Sequence, residues 1–146
     1  MKILLIRYSA LGDVIISTSL LTLFMQQYKD AVIDVLTKKN YSPLFENHDL
    51  IRKVIVYNPV DYHFTQMVRI LRSEQYDIII DAQNKIRSRS WLLFSNAKKK
   101  VFLQKRKLKD FFPRPIFQTS MRLWYREVFQ KLDGSEIVQQ NAEKLF

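Results

Sequence analysis

Lys2-Ile-Leu-Leu-Ile6 runs directly into Arg7-Tyr-Ser-Ala-Leu-Gly-Asp13 and then into sixteen residues, 13–28, that contain neither Gly nor Pro. The first stretch is a near-continuous aliphatic run of strand length, the pattern of a strand buried on both faces of a sheet. The last has the length and apolar density of a helix, with Asp13 beside its positive amino end. Strand, turn and helix in this order open an α/β domain. The same alternation continues along the chain. Strands are expected over residues 31–36, 53–57, 76–81 and 99–103, and helices over 41–47, 62–73 and 86–94, with Met67, Ile70 and Leu71 turned inward. Strands and helices at this spacing imply right-handed crossovers, a parallel sheet and an α/β/α sandwich of three layers. Ligands of such sheets lie at the carboxyl ends of the strands.

Composition bounds the rest. The chain has 146 residues, the size of a single domain, and 47% of them are hydrophobic, enough for a packed core. Residues 1–133 are expected to form that domain. A basic loop over 104–115 and a helix over 116–132 complete it, and Gly134 stops the helix. Residues 134–146 read as a tail or the start of a linker. No cysteine is present, which excludes disulfides, thiolate metal sites and a cysteine nucleophile and fits a cytoplasmic protein. Arg7 and Asp13 interrupt the amino-terminal apolar run, so a secretory signal is not expected. No apolar run approaches the ~18 residues of a membrane span. Lys and Arg number 24 against 14 acids, a formal charge of +10 that attracts anionic partners of several kinds.

Three groups of residues could carry chemistry. In the turn after the first strand, Gly12 stands where the backbone could bend and a ligand approach, and Asp13 stands at the carboxyl edge of the sheet. There it can serve as a general base toward a hydroxyl, or simply favour the helix dipole as a cap. After the fourth strand comes Asp81-Ala-Gln-Asn-Lys-Ile-Arg-Ser-Arg89, where Gln83, Asn84, Lys85 and Arg87 could meet acidic sugars or phosphates, or form a solvated helix start. The third group, Lys98, Lys99, Lys100, Lys105, Arg106, Lys107 and Lys109 beside Phe111 and Phe112, could meet a membrane, a lipid headgroup or nucleic acid, or be a solvated charge run. Phosphate loops need several glycines, and only Gly12 stands near a strand end, so a glycine-rich nucleotide loop is excluded. His48 and His63 have no metal-ligand spacing, and no metal is expected.

The opening fifteen residues, Met1 to Ile15, resemble the start of the ADP-heptose:lipopolysaccharide heptosyltransferases. Ala31-Val-Ile-Asp-Val-Leu-Thr37, Tyr76-Asp-Ile-Ile-Ile-Asp-Ala-Gln83 and Arg87-Ser88 resemble that family's second strand and fourth-strand turn in the expected order. The resemblance covers roughly the first hundred residues and implies the Rossmann-like amino-terminal half of a GT-B glycosyltransferase. Such an enzyme moves heptose from ADP-heptose to the lipopolysaccharide inner core with inversion. It implies Asp13 as the base, Arg7, Ser9 and Gly12 along the acceptor side, and Lys85 and Arg87 toward the acceptor's anionic groups. No cofactor is implied. The donor, ADP-heptose, is expected to bind mainly to a carboxyl-terminal domain outside this chain, which makes the chain a fragment or a truncated product of limited turnover. A cytoplasmic enzyme touching the anionic inner-membrane surface, with no nucleic-acid partner, completes the expectation. Two other classes share the same residues: a basic nucleic-acid-binding or interaction module on a Rossmann-like fold, and a remnant in which substituting Asp13 changes nothing.

Overall fold

The computed structural model describes residues 1–61, 63–103 and 131, the side chains of 19, 20 and 22–27 excepted. Its elements run β1 (Lys2–Ile6), α1 (Leu11–Gln27), β2 (Val32–Lys38), a single 3-10 turn (Lys39–Tyr41), α2 (Pro43–Glu46), β3 (Ile51–Tyr57), α3 (Phe64–Ser73), β4 (Ile78–Asp81), α4 (Ile86–Leu93) and β5 (Lys99–Phe102). All five strands are parallel in the order β3-β2-β1-β4-β5. The expected α/β class and parallel sheet are observed.

Side chains alternate across the sheet. Leu4 and Ile6 of β1 join Leu36, Ile55 and Ile79 in a core closed by Met67 and Leu71 of α3 and Trp91 and Leu92 of α4. Ile3, Leu5, Ile33 and Val35, all buried, point to the opposite face. Right-handed crossovers put α1 and α2 there. The register levels the carboxyl ends of the central strands, Ile6 opposite both Leu36 and Asp81. Residues 7–10 and 82–85 therefore leave the sheet side by side.

Several boundaries differ from the sequence reading, each for a local reason. Helix α1 begins at Leu11, two residues before Asp13, because the Ala10 carbonyl already accepts the Val14 N–H at 3.0 Å. Gly12 is thus inside the first helical turn and has no positive φ, so the chain reverses at residues 7–10 and not at the glycine. Helix α3 begins at Phe64, since His63 is extended and acts as its cap. Residues 41–47 split at Ser42 into the 3-10 turn and α2. Strand β2 extends past Leu36 to Lys38, and β3 starts at Ile51, because a bulge opposite Ile33 and Asp34 leaves Arg52 as the extra residue.

The bulge aims Arg52 at Asp34, a carboxylate buried on the α3 side. Arg52 Nε donates to Asp34 Oδ1 at 2.9 Å, and the Tyr76 hydroxyl donates to Oδ2 at 2.7 Å. Glu74 accepts from Lys2, Arg52 and Lys53 alongside, and these three partners hold its carboxyl well below the usual range. This network closes the amino end of the sheet, away from the turns that follow β1 and β4.

Met1–Phe102 form one compact unit and Leu103–Phe146 another. The loop expected over 104–115, the helix over 116–132, its stop at Gly134, the boundary near 133 and the tail over 134–146 lie outside the described residues, apart from Lys131, which is helical. No described helix is long and apolar enough to cross a membrane.

Candidate active site at the carboxyl edge of the sheet

Strand order reverses between β1 and β4, and this is where parallel sheets open a crevice for ligands. Both turns at that point carry the residues singled out from the sequence.

Arg7 is the first residue beyond β1. Its backbone N–H reaches the Leu36 carbonyl at 3.0 Å, which turns the side chain inward, and only 3% of that side chain is exposed. The guanidinium donates to the Ala82 carbonyl and pairs with the Asp13 carboxylate. Loss of hydration lowers its pKa to about 10, against the opposing pull of Asp81 nearby. Arg7 therefore does not line an open surface. It is a buried cation fixed between β4 and α1. Asp13, by contrast, is 40% exposed: within the pair, the carboxylate is the member that can meet a ligand.

Gln83 was expected to face a substrate, but it is 1% exposed and committed to the protein. Its N–H donates to the Ile6 carbonyl at 3.1 Å, its Oε1 accepts from the Tyr8 N–H at 3.2 Å, and its Nε2 donates to Ser9 Oγ at 2.8 Å. The amide stitches the two turns together. Ser9, half-buried, is held by that bond, and the Ser9–Ala10 peptide is cis. Gly12 is exposed, and a Cβ there would meet nothing within 4 Å, so the start of α1 offers an open approach beside Asp13.

Asp81 ends β4 with its carboxylate fully buried, accepting the N–H groups of Gln83 at 3.1 Å and Asn84 at 2.8 Å. Those bonds shape the turn, in which Asn84 takes φ 49°, a conformation that Asn tolerates better than most residues. Desolvation pushes the Asp81 pKa up. Beyond the turn, Ser88 Oγ accepts the Lys85 N–H at 3.1 Å and starts α4.

Lys85 and Arg87 are exposed, as expected, and Arg89 joins them. Arg87 donates to the Tyr57 hydroxyl and lies 5.9 Å from that ring's centre. Arg89 donates to Asn84 Oδ1 at 2.6 Å and lies 5.6 Å from the Phe102 ring. Both guanidiniums are thus oriented by neutral groups, and neither takes part in an ion pair among the described residues. Below Arg87, Tyr57 packs on Tyr8 and Trp91 with ring centres 5.2 and 5.1 Å away, and burial raises the Tyr8 phenol to about 12. Tyr57, Arg89 and Asp81 had no assigned role in the sequence reading. A residue closing β3 at the carboxyl edge is the signal that marks Tyr57. Of the third basic group, Lys98, Lys99 and Lys100 are described: Lys98 pairs with Asp77 at 2.6 Å and Lys100 donates to the Ser95 carbonyl at 2.9 Å. The others lie outside the described residues.

The arrangement places an accessible carboxylate and several oriented cations at one sheet edge, a combination suited to taking a proton from a hydroxyl within an anionic ligand.

No family model matches the chain. Over 132 residues, 87% of its length, it is 30% identical to lipopolysaccharide heptosyltransferase 1 of Campylobacter coli, of which it covers 38%. Among solved structures it resembles E. coli heptosyltransferase WaaC with ADP-2-deoxy-2-fluoro heptose, with a TM-score of 0.60 and 17% identity over 88% of this chain and 49% of that one. It also resembles E. coli ADP-heptose lps heptosyltransferase II, with a TM-score of 0.66 and 22% identity over 87% and 41%. A glycosyl transferase family 9 protein from Veillonella parvula gives a TM-score of 0.70 and 16% identity over 92% and 42%. The chain spans less than half the length of each. The heptosyltransferase resemblance and the Rossmann-like fold read from the sequence are both borne out by these likenesses.

Proposed function

We propose that this chain is the acceptor-side part of a heptosyltransferase, an enzyme that moves heptose from ADP-heptose to the lipopolysaccharide inner core with inversion at the anomeric carbon. The observation that carries the proposal is the accessible Asp13 carboxylate, anchored by the buried Arg7 at the switch point of a sheet whose sequence is akin to a heptosyltransferase.

In this reading the acceptor hydroxyl lies against Asp13. As the hydroxyl oxygen forms its bond to the anomeric carbon, the carbon–oxygen bond to ADP breaks, the electron pair leaves with the diphosphate, and the hydroxyl proton passes to the carboxylate. Arg7 holds that carboxylate in place without touching the sugar. The open approach at Gly12 leaves room for the acceptor beside α1. Ser9 and Gln83 hold the turn that carries Arg7 and Asp13. Lys85 and Arg87 bind the acceptor's acidic sugars or phosphates. Donor contacts come mainly from a carboxyl-terminal domain, and the edge that carries Asp13 serves the acceptor.

Titration with a soluble inner-core oligosaccharide that keeps its acidic groups but lacks the lipid tests the reading, with single-stranded DNA beside it at low and moderate salt. Saturable oligosaccharide binding that persists in salt, weakened about tenfold by Arg87→Ala, is the expected result. If both polyanions bind alike and release together as salt rises, the basic edge is a generic nucleic-acid-type surface and the acceptor reading fails.

A further inference from the structure

Asp81 is a buried carboxylate that the proton transfer described above does not use. It closes β4 in register with Ile6, the residue before Arg7, and none of it reaches solvent. Its Oδ1 accepts the N–H groups of Gln83 and Asn84, an Asx turn that presents the Ala82 carbonyl to the Arg7 guanidinium. An asparagine would make the same turn, because its carbonyl oxygen accepts equally and its burial takes no charge out of water. The turn therefore does not explain the charge. Nor does a second hydrogen bond, since Oδ2 is buried without a hydrogen-bond partner among the described residues. Ser88 Oγ lies close by but makes its bonds to Lys85, donating to the carbonyl at 3.0 Å and accepting the N–H at 3.1 Å.

What the charge faces is Arg7. This guanidinium answers to two carboxylates: Asp13, with which it pairs, and Asp81, whose attraction opposes the loss of hydration around the buried arginine. Arg7 Nε, like Asp81 Oδ2, is buried and takes no hydrogen bond among the described residues, so the two groups attract by charge without a direct bond. The other ionisable groups near Asp81 are the Tyr8 phenol, raised to about 12, and Arg89 of α4, which turns to Asn84. The two carboxylates differ in one respect that bears on the reaction. Asp13 is accessible and, in the proposed transfer, takes up the acceptor's proton and loses its charge. Asp81 is sealed from solvent, and that step leaves its charge unchanged. We propose that Asp81 is a positioning residue for the Asp13 base: it supplies Arg7 with a counter-charge that outlasts the proton transfer, and so keeps the guanidinium seated, and the neutralised Asp13 with it. Without Asp81 the transfer would leave a buried guanidinium with no opposite charge, a state that favours its escape toward water. The inference rests on the transferase reading of Asp13.

Nuclear magnetic resonance of the chain with isotope-labelled arginine tests this in the absence of acceptor and donor. The Arg7 Nε–H signal, assigned by its loss in Arg7→Lys, is followed for exchange with water. Asp13→Asn, which imitates the protonated base, should leave the exchange rate within about twofold of the wild type, because Asp81 still holds the guanidinium. Asp81→Asn should also change it by no more than about twofold, because Asp13 remains charged and the turn keeps its acceptor. The two substitutions together should raise the rate on the order of tenfold or more, as Arg7 opens to solvent. A merely structural Asp81 gives a different pattern: exchange rises in Asp81→Asn by itself, with the Gln83 and Asn84 amide signals displaced, or it rises in none of the variants. Either result overturns the proposal. So does faster exchange in Asp13→Asn with Asp81 in place, an outcome that can be read even if the double variant fails to fold by circular dichroism. No acceptor enters the experiment, so its failure is distinct from failure of the oligosaccharide titration, which tests the acceptor reading itself.

Discussion

Removing the exposed Asp13 should destabilise the protein more than removing the buried Arg7, the reverse of what burial alone suggests. Arg7 is brought from water into a site where its pKa falls from 12.5 to about 10, a net penalty on the charged form of ~3 kcal/mol. Arg7→Met removes that penalty with a side chain of similar bulk. It forfeits the bond to the buried Ala82 carbonyl, about 1–3 kcal/mol, and a half-exposed pairing with Asp13, about 0–1 kcal/mol. These contributions nearly cancel, and Arg7→Met should shift stability by no more than about 1 kcal/mol. Asp13→Ala leaves the guanidinium buried with its penalty, gives up that pairing and takes an acid from the first turn of α1, for a loss of about 1–2 kcal/mol. In the double variant the pairing's share of that loss should disappear, giving a coupling of up to about 1 kcal/mol. Urea unfolding followed by circular dichroism and by Trp91, which is buried against Tyr8 and Tyr57, measures all four proteins. If Arg7→Met is the costlier single change, or the two changes are additive, the account of Arg7 as a buried cation held for the sake of Asp13 is wrong.

Gln83→Leu removes the acceptor of the buried Tyr8 N–H and the donor to Ser9, and should cost about 2–4 kcal/mol in the same unfolding assay and lower affinity for the inner-core oligosaccharide. Asp34→Ala and Tyr76→Phe should be non-additive, with about 1–3 kcal/mol of coupling in a double-mutant cycle, because Asp34→Ala strands the buried Tyr76 hydroxyl whereas Tyr76→Phe leaves Asp34 held by Arg52. Glu74, held below its ordinary range by Lys2, Lys53 and Arg52, contributes stability that is fully present above its unfolded pKa of about 4.3 and is lost as pH falls through the lower folded value. Acid unfolding of Glu74→Gln should therefore show a flatter pH dependence below that point, and an unchanged slope would refute the network. Burial raises Tyr8 to about 12, and burial beside Asp34 pushes Tyr76 higher still, so a spectrophotometric titration should show two fewer phenols ionising near pH 10 than free tyrosines would give, and Tyr8→Phe should leave the curve below pH ~11 unaltered.

Much of the fold is legible because its strands are buried on both faces. Ile3 to Ile6 and Ile78 to Ile80 need no partner to be recognised as strands, and alternation with helices fixes the parallel class. Boundaries are less legible where a terminus is set by one distant or subtle contact. Asp13 looks like a helix cap, yet the helix has already begun at Leu11, and no local pattern announces the Arg52 bulge. Site residues divide along a physical line. Lys85 and Arg87 follow a strand, are exposed and point outward, as their composition suggests. Gln83 and Arg7 follow strands too, but their partners lie 75 residues away in sequence, and a polar side chain at a strand end reads the same whether it faces a ligand or another turn. Only the pairing of Ile6 with Asp81, which makes the two turns neighbours, decides between them.

That distinction bears on what Arg7 is for. At the amino end of the sheet Asp34 and Glu74 pair with Arg52, Lys2 and Lys53, and Asp77 pairs with Lys98. At the carboxyl end Arg87 and Arg89 are steered by a tyrosine, an asparagine and a phenylalanine, which orient them without neutralising them. Into this cationic edge the chain sets the accessible Asp13 carboxylate, tied to a cation that water scarcely reaches. A methionine would fill the place of Arg7 at about the same stability, so stability does not account for a guanidinium there. Its effect falls on Asp13: the pairing fixes the carboxylate at the first turn of α1, between the open surface at Gly12 and the turn held by Gln83. In the proposed reading a base that must meet one hydroxyl in one geometry needs that fixing, whereas a helix cap does not.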